Sequence, residues 1–544
     1  MTGQPGPLRL ADIAPDVLHD LAVKHGVCVR PVLSRLTDTT TGQTTVVPIP
    51  CGSTQARKCP PCAERARRLR MQQCREGWHR DDEPPTDDTD ELDDDGDELD
   101  QADELDELPD ELDSDAEGNH PDPGADTEAD ESGRRVRSTR RRQDVPDLPR
   151  LPMQNRTTGT TFRAPNGRTY RPSMFLTLTL PSYGRVHPDG TPRDPDSYDY
   201  PRAALDALHF PKLVDRFWQN LRRCAGYEVQ YFAAIEAQRR LAPHLHAAMR
   251  GTIPRRIVRQ VRAATYHQVW WPAHDTPVHT IVPPRWRPEV GGYVDAESGA
   301  VLPTWAEALD ALDPDAEPAH VLRFGDQDDL QGLLAGTPGA DRAIGYLCKY
   351  LSKDIASTYA DEDGDSPARA AHIERLTEEV RWLPCAPTCA NWLRFGVQPK
   401  NAEPGMVPGH CKHKAHDRAN LGLGGRRVLV SRLWSGKTLS EHKADRAAVV
   451  RAALEEAGID PDDHDELSIV GSDGRWSWQL LGRSRVDAPT YAAAIAQAIT
   501  TRQRWLREYE AAKSAQAAAR AGPAPPGGGV SSAVRQLSKE GVRW

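Results

Sequence analysis

Two histidines and a glutamate stand on two stretches of extended character separated by a short turn. The first stretch is Tyr231-Phe-Ala-Ala-Ile-Glu236-Ala-Gln, and the second is His244-Leu-His246-Ala-Ala-Met-Arg. Pro243 marks the end of the turn between them. Because side chains alternate along a strand, His244 and His246 share one face and the apolar residues between and after them face the other side.

A hairpin of suitable register would bring Glu236 to the same face as the two histidines. Two imidazoles and a carboxylate then form a three-ligand site for a divalent metal with open coordination positions. The alternative is a strand that carries two ordinary surface histidines. This stretch alone leaves both interpretations open.

Tyrosines and lysines recur in the segment Tyr346-Leu-Cys-Lys349-Tyr350-Leu-Ser-Lys353. On a helix that continues past this segment, the neighbouring apolar residues fall in one stripe, and the four tyrosines and lysines cluster on the opposite side. Tyrosines at helical spacing usually pack in a core, but these avoid the apolar stripe and stand beside two lysines. The pattern therefore favours a chemical role.

Four cysteines near the N-terminus have the spacing of a zinc site. Residues 28–37 and 44–51 are predicted as strands of a hairpin, which in simple register sets Cys28 opposite Cys51, and Cys59-Pro-Pro-Cys62 follows. These four cysteines predict a zinc ribbon. The alternative is four reduced structural cysteines.

Cys74 is a competing fourth ligand of this zinc site. The segment from Ala63 to Cys74 is predicted to be helical, and a dozen helical residues span about 18 Å. Zinc–sulfur bonds are about 2.3 Å long, so Cys74 is poorly placed. In the cytoplasm a disulfide is disfavoured.

A second Cys/His cluster lies farther along the chain, where Cys385-x3-Cys389 precedes Cys411-Lys-His413-Lys-Ala-His416. Three cysteines and one of the two histidines, preferably His416, predict another structural zinc site. The spacing is looser than in the first cluster.

Several elements around these motifs can be predicted from their patterns. Alternation predicts a strand over Met174–Leu180, and helices are predicted over residues 201–226 and 488–520. A basic helix is predicted from Arg255 to Trp271, and its arginines suit a DNA backbone or a solvated face. Residues 283–336 form a Pro- and acid-rich insertion.

The net charge of −11 arises from one acidic segment, and the rest of the chain is basic. Residues 81–133 contain 27 of the 80 acidic residues and no lysine or arginine, which leaves 53 acidic against 69 basic residues elsewhere. The acidic segment is predicted to be a disordered linker. The basic remainder is typical of a nucleic-acid partner, though many enzymes share it. The basic cluster at residues 134–142 either contacts phosphates or balances the acidic run.

The chain contains no run of about 18 apolar residues, and its first residues lack the basic and apolar regions of a signal peptide. The sequence therefore predicts a cytoplasmic protein with no membrane partner.

Three elements stand in a recognisable order: Phe175-Leu-Thr-Leu-Thr179, His244-Leu-His246 and Tyr346-x3-Tyr350-x2-Lys353. This order resembles the HUH endonuclease superfamily, and more closely the rolling-circle replication initiators of actinobacterial plasmids and integrative elements. The resemblance of the motifs covers about residues 170–360, and the cysteine-rich flanks are similar as well.

The resemblance implies an α+β fold, with a central antiparallel sheet flanked by helices. His244 and His246 would be metal ligands and Glu236 the third, for Mg²⁺ or Mn²⁺. A tyrosine would attack origin DNA and leave a 5′-phosphotyrosyl enzyme, while Lys349 or Lys353 stabilises developing charge. Tyr350 is predicted to make the first nick and Tyr346 to assist or terminate. Host helicase and DNA polymerase would be further partners.

The predicted organisation has six parts. They are a zinc-ribbon module (1–80), a disordered acidic and basic linker (81–150), an HUH endonuclease domain (165–360, with the insertion 283–336), a second zinc-binding module (380–445), a C-terminal helical region (446–520) and a flexible tail (521–544).

Three functions compete on this sequence. The first is a sequence-specific nickase that initiates plasmid replication. The second is a relaxase or single-strand transposase with the same chemistry. The third is a non-catalytic zinc-containing DNA-binding protein, against which the intact Glu, His, His and Tyr residues argue.

Overall fold

The structure of the chain is a computed structural model. It describes residues 15–78, 80, 148–159, 162–163, 165, 167, 169–313, 315–334, 336–349, 351–352, 366–424, 427–445, 448, 476–481 and 486–521. The chain divides into two compact units, of which one comprises Met1–Val27, Val32–Pro48 and Ala444–Trp544 and the other Cys28–Pro31 and Ile49–Lys443.

The described part of the smaller unit combines a three-stranded sheet with two helices. Its elements are α1 (Pro15–Lys24), β1 (Val32–Asp38), β2 (Thr44–Ile49), β14 (Trp476–Leu481) and α8 (Ala488–Ala521). The strand order is β14-β1-β2, and β1 pairs antiparallel with β14. The predicted hairpin is thus present, but β1 begins at Val32 and β2 ends at Ile49, so Cys28 and Cys51 lie outside its strands rather than opposite each other within it. The Ala-rich C-terminal helix is present as well. The region predicted as helical at 446–520 also contributes a strand, β14.

The larger unit is built on a five-stranded antiparallel sheet in the order β12-β5-β7-β6-β13. Its strands are β5 (Pro172–Thr179), β6 (Tyr231–Ala237), β7 (Pro243–Arg250), β12 (Asp328–Leu334) and β13 (Val428–Val430). Helices lie against both faces of this sheet. The predicted α+β class is therefore confirmed as a mixed fold with antiparallel sheets.

One face of the sheet is mostly apolar. Leu176, Leu245 and Met249 point to this face and are buried in the main core cluster. The helices that take part in it are α3 (Tyr200–Ala225), α4 (Arg255–Ala264) and α7 (Pro367–Trp382). The cap residues fix α3, because the Asp199 carboxylate accepts from the Arg202 amide and Gly226 ends the helix in the left-handed region at φ 68°.

The opposite face is apolar at its centre and polar at one end. The helices α2 (Pro60–Trp78) and α6 (Pro338–Leu347) pack here. The buried residues of this second cluster include Cys74, Trp78, Phe175, Phe232, Ala234, Ala248, Ile344, Leu347, Cys348 and Trp434. The polar end holds the histidines and the glutamate singled out above.

The insertion forms a folded extension together with the second cysteine cluster. The elements of this extension are β8 (Tyr266–Val269), which precedes the insertion, β9 (Arg285–Arg287), β10 (Gly292–Val294), α5 (Trp305–Asp310), β11 (His320–Arg323) and the 3₁₀ helices Ala390–Phe395 and Lys414–His416. The end of the predicted insertion differs from expectation, because β12 is a strand of the central sheet. Trp271 and Trp392 share one small core. The Gln398 side chain accepts from the Tyr293 amide and donates to the Leu302 carbonyl.

A short hairpin of β3 (Phe162–Arg163) and β4 (Thr169–Tyr170) completes the described elements.

Two predicted helices end earlier than expected. The basic helix ends at Ala264, and residues up to Trp271 include strand β8 instead. Thr265 is the reason at this end, because it adopts an extended conformation and its hydroxyl donates to the Val261 carbonyl. Helix α6 ends at Leu347, with Cys348 as its C-cap.

Candidate active site and cysteine clusters

The hairpin of β6 and β7 brings the two histidines and the glutamate together. In its register Glu236 lies directly opposite His244, and His246 lies opposite Ala234. On the other side of β7, β5 sets Thr177 opposite His246 and Thr179 opposite His244. These residues lie on the face that also carries α2 and α6, so the alternation along the strands places all the polar side chains on one side.

The ring nitrogens of the two histidines converge. His244 Nε2 lies 2.7 Å from His246 Nε2. The other nitrogen of each ring has a partner of its own, because His244 Nδ1 lies 2.9 Å from the Glu236 carbonyl oxygen and His246 Nδ1 lies 2.8 Å from Thr177 Oγ1. One donor atom from each of Glu236, His244 and His246 lies within 4.8 Å of the others.

Burial disfavours the charged form of all three side chains. It lowers the pKa of His244 to about 3 and that of His246 to about 4, and it raises the pKa of Glu236 to about 8. Among the described residues, Glu236 Oε1 is a buried oxygen without a hydrogen-bond partner. A divalent cation would satisfy that oxygen and both Nε2 lone pairs, so these residues fit a metal.

Tyr346 is the predicted tyrosine that the structure places at this site. Its hydroxyl lies 3.3 Å from His246 Nε2, and its ring meets the His246 ring edge-on at 5.0 Å between centroids. The side chain is 44% exposed. A half-exposed phenol at the edge of the site is accessible to a substrate from solvent.

Of the other three residues of the tyrosine and lysine motif, the structure describes one. Lys349 is exposed just beyond the end of α6, and its charge opposes the rise in the pKa of Glu236 caused by burial. Tyr350 and Lys353 lie outside the described residues, so their predicted roles stay predictions.

Sequence reasoning missed the other cations around the site. Arg427 has a stronger influence than Lys349 on the pKa of Glu236, and its guanidinium donates to the Leu351 carbonyl. Arg67 and Arg70 of α2 favour the thiolate of Cys348, whose pKa burial nevertheless raises to about 12. No local signal could have found Arg427, because about 190 residues separate it from Glu236.

The first cysteine cluster has the predicted members, Cys28, Cys51, Cys59 and Cys62. Cys59 Sγ lies 3.7 Å from Cys28 Sγ, a separation that suits two sulfurs each about 2.3 Å from one tetrahedral zinc ion. The Cys51 amide donates to Cys28 Sγ at 3.2 Å. These cysteines could therefore hold a structural zinc ion.

Cys74 is not a member of this cluster. It is fully buried in the apolar contact of α2 with the sheet and α6. Burial raises the pKa of its thiol, which opposes the thiolate form that zinc requires.

The second cluster joins Cys385, Cys389, Cys411 and His416. Cys385 and Cys411 have their sulfurs 3.9 Å apart, and His416 Nε2 lies 3.5 Å from Cys389 Sγ. His416 Nδ1 lies 2.9 Å from the Val380 carbonyl, which orients Nε2 toward the sulfurs. His413, the competing ligand, has its Nδ1 3.1 Å from Cys385 Sγ.

The predicted basic helix exposes most of its arginines. On α4, Arg255, Arg256 and Arg259 are exposed, whereas Arg262 is buried, and Arg259 and Arg262 both pair with Asp328. The basic cluster at 134–142 and nearly all of the predicted linker at 81–150 lie outside the described residues, as does the tail beyond Ala521.

Among the described residues, no helix combines the length and the apolar character needed to cross a membrane.

Comparison with known proteins points to DNA replication. Residues 14–501 match the family described as RepSA, replication initiator protein, pSAM2. A replication initiator protein of Streptomyces ambofaciens is 27% identical over 384 residues, which cover 62% of this chain and 72% of the relative. No solved structure matches the chain.

Proposed function

The chain belongs to the RepSA family of replication initiators, and from this premise we propose that it starts replication by nicking origin DNA through a tyrosine. The observation that carries the proposal is the convergence of Glu236, His244, His246 and Tyr346 on one end of the central sheet. This is the constellation expected of an HUH endonuclease, and the central antiparallel sheet with helices on both faces is consistent with that fold.

Glu236, His244 and His246 would hold one divalent ion, Mg²⁺ or Mn²⁺. When bound, such an ion polarises the scissile phosphate and stabilises charge on its oxygens. The protein contributes a rigid cradle, because all three ligands lie on paired strands and each histidine ring is fixed through Nδ1. A carboxylate and two neutral imidazoles leave coordination positions open for a phosphate.

Tyr346 is positioned to attack that phosphate. Its oxygen forms a bond to phosphorus, the bond from phosphorus to the 3′ oxygen breaks, and the phenol proton passes to solvent while the 3′ oxygen is protonated. The products are a 5′-phosphotyrosyl enzyme and a free 3′-OH, which a polymerase can extend. The covalent link conserves the energy of the phosphodiester, so rejoining needs no ATP. This reverses the order predicted from the sequence, in which Tyr350 makes the first nick. With Tyr346 as the nucleophile, Tyr350, four residues later, would serve the second cleavage or exchange roles with Tyr346.

Cations around the site favour an anionic substrate. A free tyrosine has a pKa near 10, so attack near neutral pH requires stabilisation of the phenolate. Lys349, with Lys353 in the same motif, would supply it, and Arg427 would contact the phosphate beside Glu236. Arg67 and Arg70 extend the positive charge along α2.

The remaining parts of the chain would support this centre. We assign the endonuclease to residues 165–360, to which the segment of the second zinc module adds β13 and Arg427. Structural zinc modules would lie at 1–80 and 380–445, the acidic and basic linker at 81–150, the C-terminal region with β14 and α8 at 446–520 and the tail at 521–544. The origin would be engaged as both double- and single-stranded DNA, and a host helicase and polymerase would complete replication. The proposal also predicts that the protein acts in the cytoplasm.

The experiment that tests the function is a nicking assay. Its substrate is a supercoiled plasmid that carries the replication region of the genetic element that encodes this protein. We expect Mg²⁺- or Mn²⁺-dependent conversion to open circles with protein attached to the 5′ end. A control plasmid without that region should stay supercoiled. Specific binding without any cleavage would instead favour a non-catalytic DNA-binding protein.

Mapping of the DNA-linked peptide by mass spectrometry identifies the nucleophile. Tyr346→Phe and Tyr350→Phe form a matched pair, since each removes one hydroxyl and keeps the ring. An adduct on Tyr346 that disappears in Tyr346→Phe supports the role proposed here. An adduct found only on Tyr350, with full nicking by Tyr346→Phe, would assign the attack to Tyr350.

A further inference from the structure

Each histidine of the candidate metal site is anchored through Nδ1, but by different means. His244 Nδ1 lies 2.9 Å from a main-chain carbonyl, that of Glu236. His246 Nδ1 lies 2.8 Å from a side-chain hydroxyl, that of Thr177. The second anchor can be removed by substitution without any change to the backbone.

The position of Thr177 follows from the pairing of β5 with β7. Thr177 lies directly opposite His246 in this register. Its neighbours along β5, Leu176 and Leu178, are fully buried on the apolar face, so the hydroxyl stands on the site face. Phe175, two residues earlier on the same face, lies against the His246 ring at 6.0 Å between centroids and an interplanar angle of 22°.

The hydroxyl is a suitable partner for the tautomer of His246 that metal binding requires. A neutral imidazole that binds a metal through Nε2 must be protonated on Nδ1, and that N–H needs an acceptor. Thr177 Oγ1 is in place to accept it. If Nδ1 instead accepted a hydrogen bond, the proton would lie on Nε2 and block the lone pair that points toward His244 Nε2.

We propose that Thr177 is a positioning residue, which fixes the tautomer and the ring orientation of His246 for divalent metal binding. This inference rests on the proposed function, because it assumes that Glu236, His244 and His246 hold a metal. Thr177 itself touches neither the ion nor DNA in this assignment, and it acts only through His246.

The test is Mn²⁺ affinity of the full-length, zinc-loaded protein, measured by electron paramagnetic resonance of free Mn²⁺. Thr177→Val keeps the shape and removes the hydroxyl, and we expect it to weaken Mn²⁺ binding about 10- to 100-fold, as for other partners of metal ligands. Thr177→Ser keeps a hydroxyl and should restore affinity to within about threefold of the unsubstituted protein.

Thr179→Val is the matched control. Thr179 lies on the same strand and the same face, opposite His244, but its hydroxyl donates to the carbonyl of Gln327, which is not one of the proposed metal ligands, at 3.0 Å. We expect this variant to bind Mn²⁺ as the unsubstituted protein does. Equal unfolding midpoints in urea for the two valine variants would show that the difference between them is not one of folding.

Two outcomes would overturn the inference, and they differ in what they say about the site. Undiminished Mn²⁺ affinity in Thr177→Val, with affinity lost in His244→Ala/His246→Ala, would remove the role of Thr177 and leave the proposed metal site intact. Absence of Mn²⁺ binding by the unsubstituted protein, with nicking that needs no divalent ion, would rule out both the role of Thr177 and the proposed metal site.

Discussion

Two groups of buried histidines occupy different regions of the larger unit. His244 and His246 lie at the polar end of the central sheet, whereas His209 and His267 lie where α3 meets β8. The four side chains are similarly buried, between 3% and 6% exposed. Burial lowers the pKa of His244 and His267 alike, to about 3.

The surroundings of the two groups are opposite in character. The rings of His244 and His246 are 4.4 Å apart between centroids, and both lie beside Glu236. The rings of His209 and His267 are 5.8 Å apart, and the nearby charges that lower their pKa values include Lys212. Burial and a lowered pKa therefore do not identify a metal site.

The orientation of the lone pairs separates the two groups. Arg216 Nε donates to His267 Nδ1 at 3.2 Å and so occupies the lone pair of that ring. His209 packs edge-on against Trp271 at 4.6 Å between centroids. In the site pair, by contrast, both Nε2 atoms point at one spot beside a carboxylate oxygen. Convergence of lone pairs on an acid is the feature that predicts chemistry.

The largest expected effect is the loss of zinc from cysteine variants. Measuring it tests whether zinc is bound by the cysteine clusters and by neither histidine group. Elemental analysis should find two zinc ions per chain, and Cys59→Ser and Cys411→Ser should each remove one. The loss should also destabilise the protein strongly, since structural zinc binds with about 10–16 kcal/mol in small modules.

Cys74→Ala is the control for the first cluster, because Cys74 lies in the apolar contact of α2 rather than among the ligands. It should retain two zinc ions. So should His244→Ala/His246→Ala and His209→Phe. A zinc content that drops in either histidine variant would mean that a histidine group holds zinc.

The next effect concerns nicking itself. His244→Ala/His246→Ala should reduce the nicking rate at least about 10³-fold, because loss of the metal removes several kcal/mol of stabilisation of charge in the transition state. His209→Phe alters a histidine of equal burial and should leave the rate unchanged. Plasmid relaxation assays on both variants measure this contrast directly. Equal losses of nicking rate in the two variants would mean that substitution of any buried histidine slows nicking, and not loss of the metal site in particular.

A smaller effect is expected from the carboxylate. Glu236→Gln keeps the size of the side chain and removes its charge, so Mn²⁺ affinity should fall about 10²-fold, or about 2.7 kcal/mol. Titration of the full-length protein with Mn²⁺ gives the affinity. Binding as tight as in the unsubstituted protein would show that Glu236 is not a ligand.

The sequence predicts local features of this site well and distant ones poorly. The alternation in β5, β6 and β7 predicts which residues share the site face, and the Cys spacings predict both sets of possible zinc ligands. The strands β13 and β14 escape prediction, because β13 is only three residues long and both pair with strands far away in the chain.

The same reason explains the residues that pattern analysis overlooked. Arg427 and Thr177 reach the site through pairing across the sheet, with β6 and β7 respectively. The end of α6 at Leu347 was also missed, since the apolar stripe continues past it with Cys348 and Leu351. A periodic pattern shows which side chains are buried but not where the helical backbone stops.

The smallest expected effect is on the stability of the protein in acid. It tests the contrast between the two histidine groups through a substitution of His209. Burial holds the pKa of His209 well below its usual value of 6.5. The unfolded chain therefore binds a proton below about pH 6.5 that the folded chain does not, so stability is full above that pH and falls as the pH drops. Phenylalanine cannot take up this proton, and it also removes the buried Nε2 atom, which has no partner among the described residues.

For His209→Phe we expect a free energy of unfolding near the unsubstituted value at pH 7. Between pH 7 and pH 5 the variant should lose about 2 kcal/mol less than the unsubstituted protein, since each pH unit below 6.5 contributes about 1.4 kcal/mol per proton. Urea unfolding at the two pH values, with zinc content checked at each, gives the difference. Equal losses in the two proteins would mean that His209 is protonated in the folded state at pH 5. Its ring would then need an acid partner, as the pair at the site has, and the distinction between the two groups would fail.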